Sequence, residues 1–211
     1  GANDGVFSAT VSPQPTFVDG FDGTGAGAIR LDGLDWVTVP NILPNEFTVA
    51  CWVRLDAPQS VGGDGADFYE GSGLVQGERA GCVPDAGVSV IGDRPAFGHG
   101  GAGCGQDLTI QGPRSIVTGE WTHLAAVRDL RTTPGTGTIR LYVDGAPAAE
   151  RAHPNIGLLT AHDTFAIGGD PVGGLRLTGD VDDLRFYDYP LSAEEIVDLA
   201  RPDCGGAARI E

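Results

Sequence analysis

Two clusters of acids, one near each end of the chain, have the makings of a calcium site. Asp19-Gly20-Phe21-Asp22-Gly23 stands near the start and Asp180-Val181-Asp182-Asp183 near the end. Calcium takes six to eight oxygens, several of them carboxylates and the rest backbone carbonyls. If the terminal strands are neighbours, both clusters can face one ion, with Asp19, Asp22, Asp180 and Asp182 as its ligands. Carboxylates crowded together without a cation repel one another, which is the physical reason to expect calcium there. The same stretches also read as ordinary Asp and Gly turns on a solvated edge. No EF-hand loop is present, because the first cluster lacks the Glu that would close it.

A second group of residues has the chemistry of sugar recognition. A sugar offers hydroxyls and apolar C–H faces, so its site pairs an aromatic ring with a few carboxylates, amides or arginines. Between residues 64 and 114, Tyr69, Glu78, Arg79, His99, Asp107 and Arg114 fall in a Gly-rich, loop-rich stretch and are the expected binding residues. The bland alternative is a solvated flap. Trp36, Trp52 and Trp121 lie in strand patterns and read as core.

Catalytic signatures are missing. All thirteen basic residues other than His are Arg, so a lysine nucleophile or Schiff base is excluded. No G-x-S-x-G elbow occurs. Asp180 and Asp182 alternate as a glycosidase pair would, but calcium is the stronger reading there. The four His are scattered; His123 reads as a packed strand residue, and His99 as the one placed to meet a ligand. No catalytic residue is expected.

Cys51, Cys82, Cys104 and Cys204 form no C-x-x-C pair and have no His at zinc-finger spacing. Two disulfides are expected, and three pairings are possible. Cys82–Cys104 is favoured because both lie in one Gly-dense stretch with little core of its own; that leaves Cys51–Cys204. Disulfides imply a secreted, extracellular or cell-surface setting, whereas four reduced thiols would imply a cytosolic one.

These residues need a scaffold. The chain has 211 residues, 41% hydrophobic and 20% charged, with 34 Gly and 14 Pro. Its net charge of −16 argues against nucleic acid or an anionic membrane as partner. No apolar run is long enough for membrane insertion. Residues 1–16 read as a leader or linker, 17–204 as one domain, and 205–211 as a tail. Within the domain about a dozen short apolar runs alternate with turn residues. The clearest is EFTVACWVRLD, with Phe47, Val49, Cys51 and Val53 on one face and Thr48, Ala50, Trp52 and Arg54 on the other. Asp144-Gly145 signals a hairpin. A separate short strand is expected at LRLTG. The one helix pattern is EEIVDLAR, with Ser192 as N-cap, Glu195 as its capping-box partner and Pro202 as its stop. Crossover helices for parallel strands are lacking, so the expected fold is an all-β, antiparallel two-sheet sandwich with one short C-terminal helix.

Several stretches, in order, resemble the bacterial form of the laminin-G-like, concanavalin A-like jelly-roll family. They are AIRLDGLDWVTVP, EFTVACWVRLD, GEWTHLAAVRD, IRLYVDG, FAIGG and GDVDDLRFYDYPLSAEEI, and the likeness spans about residues 17–200. The resemblance implies a sandwich with one concave face, frequent carbohydrate binding, frequent structural calcium and usually no catalysis. It also implies Asp182 as a calcium ligand. The E-x-D-x-x-E strand of related β-glucanases is absent, and without Lys the Tyr-x-Lys strand of alginate-lyase-like sites cannot exist. Residues 62–113 depart from the family pattern and carry their own Cys pair. The function expected is a non-catalytic module that binds a polysaccharide or glycoprotein glycan through loops at the concave face. The alternatives are an extracellular protein partner, through an adhesive surface, and a divergent polysaccharide-degrading enzyme.

Overall fold

The computed structural model describes residues 6–8, 16–23, 25, 27–41, 43–59, 65–101, 103–133, 136–153, 158–159, 164–170 and 174–202. The strands are β1 (Val6–Ser8), β2 (Thr16–Val18), β3 (Ala28–Asp32), β4 (Trp36–Pro40), β5 (Phe47–Arg54), β6 (Ser72–Gln76), β7 (Ala86–Ile91), β8 (Arg94–His99), β9 (Leu108–Gln111), β10 (Trp121–Thr133), β11 (Thr136–Val143), β12 (Ala146–His153), β13 (Thr164–Ile167) and β14 (Thr178–Tyr187). One sheet runs β1-β4-β13-β6-β7-β8-β9 and the other β12-β11-β10-β5-β14-β3-β2. All the pairings are antiparallel, and the sheets stack into the expected sandwich.

Alternation explains the core. Phe47, Val49, Cys51 and Val53 of β5 face Leu74, Val88, Val90 and Phe97 of the opposite sheet. The other face of β5 is covered as well. Phe21 stacks on Trp52 at 4.6 Å between ring centroids, with planes 4° apart. Helix α1 (Ala193–Leu199) lays Ile196, with Leu191 just ahead of it, on Ala50, Ala125, Val127 and Tyr142. The Ser192 hydroxyl accepts the Glu195 N–H, and the Glu195 carboxylate accepts the Ser192 N–H, so the expected capping box forms. Asp144 and Gly145 both take positive φ, 51° and 75°, and close the β11–β12 hairpin.

Other expectations change. Within the stretch read as a leader, Val6–Ser8 pairs with β4, and Thr16 already begins β2. The strand expected at LRLTG does not form by itself. Gly174–Leu177 is irregular, and Thr178 opens the long strand β14. Cys51 is a free thiol, 1% exposed in the core, and burial pushes its pKa up to about 12. The expected Cys51–Cys204 bond is therefore corrected: the Cys51 sulfur points between the sheets, and Cys204, like the tail, lies outside the described residues. Cys82–Cys104 is present, with its Cα atoms 4.6 Å apart.

Candidate functional site

The disulfide ties two loops at one end of the first sheet. Residues 77–85 join β6 to β7, and residues 100–107 join β8 to β9. A third piece completes the site, a single 3-10 turn over Phe68–Glu70. Its anchor is Phe68, fully buried on the outer face of the sheet. A Cβ on Gly98 would stand 2.2 Å from the Phe68 ring, and one on Gly87 would stand 3.0 Å from it. The sheet surface lacks side chains there because the turn needs the space. Burying Phe68 contributes about 2–3 kcal/mol to holding the turn down.

The turn is also braced by polar contacts. The Asp67 N–H donates to the Glu70 carboxylate at 2.7 Å, and the Phe68 N–H to Thr109 Oγ1 at 3.0 Å. The Thr109 hydroxyl in turn donates to Asp67 at 3.2 Å. Tyr69 is thereby aimed at the disulfide loops, with its hydroxyl donating to Asp67 at 2.9 Å. That bond, with burial and the acids nearby, raises the Tyr69 pKa well above that of an ordinary phenol.

Tyr69, Glu78, Gly81, Val83, Asp85 and Asp107 line a cavity of about 230 Å3. Three of these residues, Tyr69, Glu78 and Asp107, were expected from sequence. Asp85 was not, although its place just before β7, inside the Cys82–Cys104 loop, was the available signal. Asp85 is 4% exposed and accepts the Arg79 N–H at 3.0 Å. A Cβ on Gly100 would come within 2.4 Å of its carboxylate, so the backbone approaches it closely.

Charge is concentrated here. Burial first, then the charge and the hydrogen bond of Asp85, push Glu78 up to about 8. Burial raises Asp85 too, against the lowering effect of the Arg79 N–H. Two carboxyls therefore share a proton at neutral pH, with Asp107 close by. Such a wall is rich in acceptors and suits a group that brings donors: sugar hydroxyls or an ammonium.

The other expected binding residues lie elsewhere. Arg79 contributes its backbone N–H, as described. His99 is fully buried, with Nε2 2.8 Å from the Arg128 guanidinium and its ring 5.5 Å from that of His153. Guanidinium only donates, so His99 Nε2 accepts; a ring in that position is core and not a ligand contact. Arg114 pairs with Asp144 at the β11–β12 turn, whose other carboxylate oxygen takes the His123 N–H. His123 is 2% exposed and packs edge-on against Trp52, and burial pushes its pKa down to about 4.

The four acids expected at calcium do not share one point. Asp180 Oδ1 takes Arg30 at 2.7 Å, and its Oδ2 takes Arg54 at 2.7 Å. Asp182 turns toward the N-terminal loop and accepts the Phe21 N–H at 3.0 Å. Asp19 and Asp22 border that loop: the Cβ positions of Gly25 and Gly20 lie 3.6 Å and 3.4 Å from their respective carboxylate oxygens. Among the described residues, no three His, Cys, Asp or Glu side chains converge as a metal cage, and that holds for the acidic cavity too. No helix among them is long and apolar enough to cross a membrane.

Comparison with solved structures agrees with this architecture. Domain 4 of AbnA, a GH43 extracellular arabinanase from Geobacillus stearothermophilus solved with arabinotriose, superposes with a TM-score of 0.66 at 18% identity, over 93% of this chain and 88% of that one. The binding domain of Paraclostridial Mosquitocidal Protein 1 gives 0.66 at 14% identity, over 93% of this chain and 47% of that one. The binding domain of Botulinum Neurotoxin DC, in complex with SialylT, gives 0.64 at 12%, over 94% and 46%. The chain thus spans about half the length of the two toxin domains. At these identities the likeness is one of fold. A search of curated proteins finds no matching sequence. The profile of a laminin G family, described as the concanavalin A-like lectin/glucanases superfamily, matches residues 31–197, and the chain belongs to that family.

Proposed function

We propose that this protein is a non-catalytic recognition module that binds a glycan in the cavity of Tyr69, Glu78, Asp85 and Asp107. The observation that carries the reading is the convergence of an aromatic and three carboxyls on one cavity held by a disulfide. A stapled, braced rim loses little entropy on binding, which suits recognition by loops on a rigid sandwich. The disulfide supports a secreted or cell-surface setting. The arabinanase domain in complex with arabinotriose and the toxin domain in complex with SialylT support a carbohydrate as the partner.

Hydrolysis is the weaker reading. A retaining glycosidase holds its two carboxyls about 5–5.5 Å apart. Glu78 and Asp85 are hydrogen-bonded to each other, which leaves no room for a sugar between them. Adhesion through a broad apolar face is also weaker, because among the described residues the exposed large apolar side chains, Phe17, Leu34, Leu158, Tyr189 and Val197, stand on different segments.

A glycan array carrying neutral, amino-bearing and acidic sugars tests the proposal. Neutral or amino-bearing sugars are expected to bind, and Glu78→Gln with Asp107→Asn to weaken that binding about tenfold or more. Unchanged binding by the double variant contradicts the assignment.

Calcium belongs to the proposal at one place, where Asp182 meets the loop of Asp19 and Asp22. Adding calcium to chelator-treated protein is expected to raise the melting temperature by several degrees, as about 1–2 kcal/mol would. No change removes calcium from the reading.

A further inference from the structure

A second cavity lies at the other end of β6. Its volume is about 310 Å3, and its walls include Pro58, Gln59, Ser72, Leu175, Arg176 and Thr178. Ser72 opens β6, while Glu78 of the acidic cavity follows the end of that strand. The stretch that carries Arg176 is pinned on both sides. The Gly73 N–H donates to the Leu175 carbonyl at 3.2 Å, the Leu177 N–H to that of Gly168 at 3.1 Å, and the Thr178 N–H to Gln59 Oε1 at 2.9 Å.

Arg176 itself is held flat. Its guanidinium carbon lies 3.8 Å from the centroid of the Trp36 ring, and Nη1 donates to the Leu34 carbonyl at 2.8 Å. The chain has 29 acids for 13 arginines. Even so, among the described residues Arg176 enters no ion pair, while Arg30, Arg54, Arg114, Arg140, Arg185 and Arg201 all do. A single hydrogen bond, to the Leu34 carbonyl, leaves most of its five donors for a guest.

We propose that this groove is a second binding site, specific for the carboxylate of an acidic sugar such as a uronic acid unit, with Arg176 as its anchor. A planar guanidinium fixed on an indole is preorganised for the two parallel N–H···O bonds that a carboxylate accepts. Leu175 and Pro58 offer apolar surface to the C–H face of the sugar ring. The acidic cavity repels such a unit, so the two ends of β6 select opposite charges.

The test is titration of 15N-labelled protein with sodium glucuronate, glucose and sodium sulfate in separate arms. The expected result is saturable glucuronate binding with a millimolar Kd, read at the amides of Leu175, Arg176 and Thr178. Arg176→Gln is expected to weaken it about tenfold or more, and Arg176→Lys by less, because lysine keeps the charge and loses the fork. Glu78→Gln should leave it unchanged, which separates this site from the acidic cavity. If Arg176→Gln does not fold, Arg176→Lys and Trp36→Phe carry the comparison. Absence of saturation by glucuronate, equal affinity for glucose or for sulfate, or indifference to every Arg176 and Trp36 variant overturns the proposal.

Discussion

Asp180 and Asp85 are about equally hidden, 2% and 4% exposed, yet their surroundings are opposite. Asp180 receives two guanidiniums, from Arg30 on β3 and Arg54 on β5, the strands on either side of its own. Burial pushes its carboxyl up, but the two arginines outweigh that and hold it below the usual carboxylate range. Asp85 has Glu78 and Asp107 for neighbours, and its nearest support is a backbone N–H. A buried acid matched by cations clamps strands together. A buried acid crowded by acids is short of donors, and a ligand can bring them. The contrast sets a structural clamp in β14 against the proposed recognition site in the disulfide loops.

The largest test of the contrast is Asp180→Asn. It leaves two arginines facing a neutral amide and is expected to cost about 2–4 kcal/mol, measured by denaturant unfolding. A loss below about half a kcal/mol would mean that the clamp is ornamental. Next comes Gly98→Ala, whose methyl would invade the Phe68 ring; about 1–3 kcal/mol is expected, together with displacement of Tyr69 and weaker glycan binding. The smallest effect is the most diagnostic. A depressed acid such as Asp180 stabilises the fold above the unfolded carboxylate pKa, and that stability fades as pH falls. Glu78 works the other way. Its pKa rises from 4.5 to about 8, so the folded state holds a proton that the unfolded chain releases, and stability falls as pH climbs across that window. Glu78→Gln should therefore gain about 1 kcal/mol at pH 8, allowing for solvent screening, and nothing near pH 4. A flat difference between the two pH values would deny the shared proton.

What the sequence disclosed follows from the range of each interaction. The face of β5, the Ser192–Glu195 cap, the Asp144-Gly145 turn and the Cys82–Cys104 bond all depend on residues close in the chain, so spacing and residue type revealed them. Asp180 meets Arg30 across 150 residues, and nothing local announces an arginine. At Asp180, acidic clustering therefore read as calcium chemistry where the fold supplies guanidiniums. His99 misled for a similar reason. FGHGG reads as a flexible loop, but β8 continues through His99 and alternation turns it inward with Phe97 toward Arg128. Half of the cavity wall was legible because Tyr69, Glu78 and Asp107 stand out on loops. Asp85 was hidden by its place inside the VPDAG run, where an acid looks like a turn former. Arg176 escaped notice because LRLTG alternates like a strand.

The most direct measurement is amide chemical-shift mapping at neutral pH with arabinotriose and with a glucosamine trimer as probes. If the stapled loops form the recognition site, at least one of the two shifts the amides of Gly81, Val83 and Gly100 in a saturable way, and Glu78→Gln with Asp107→Asn moves saturation to about tenfold or more higher sugar concentration. Shifts confined to other parts of the sandwich, or none with either sugar, would contradict the account.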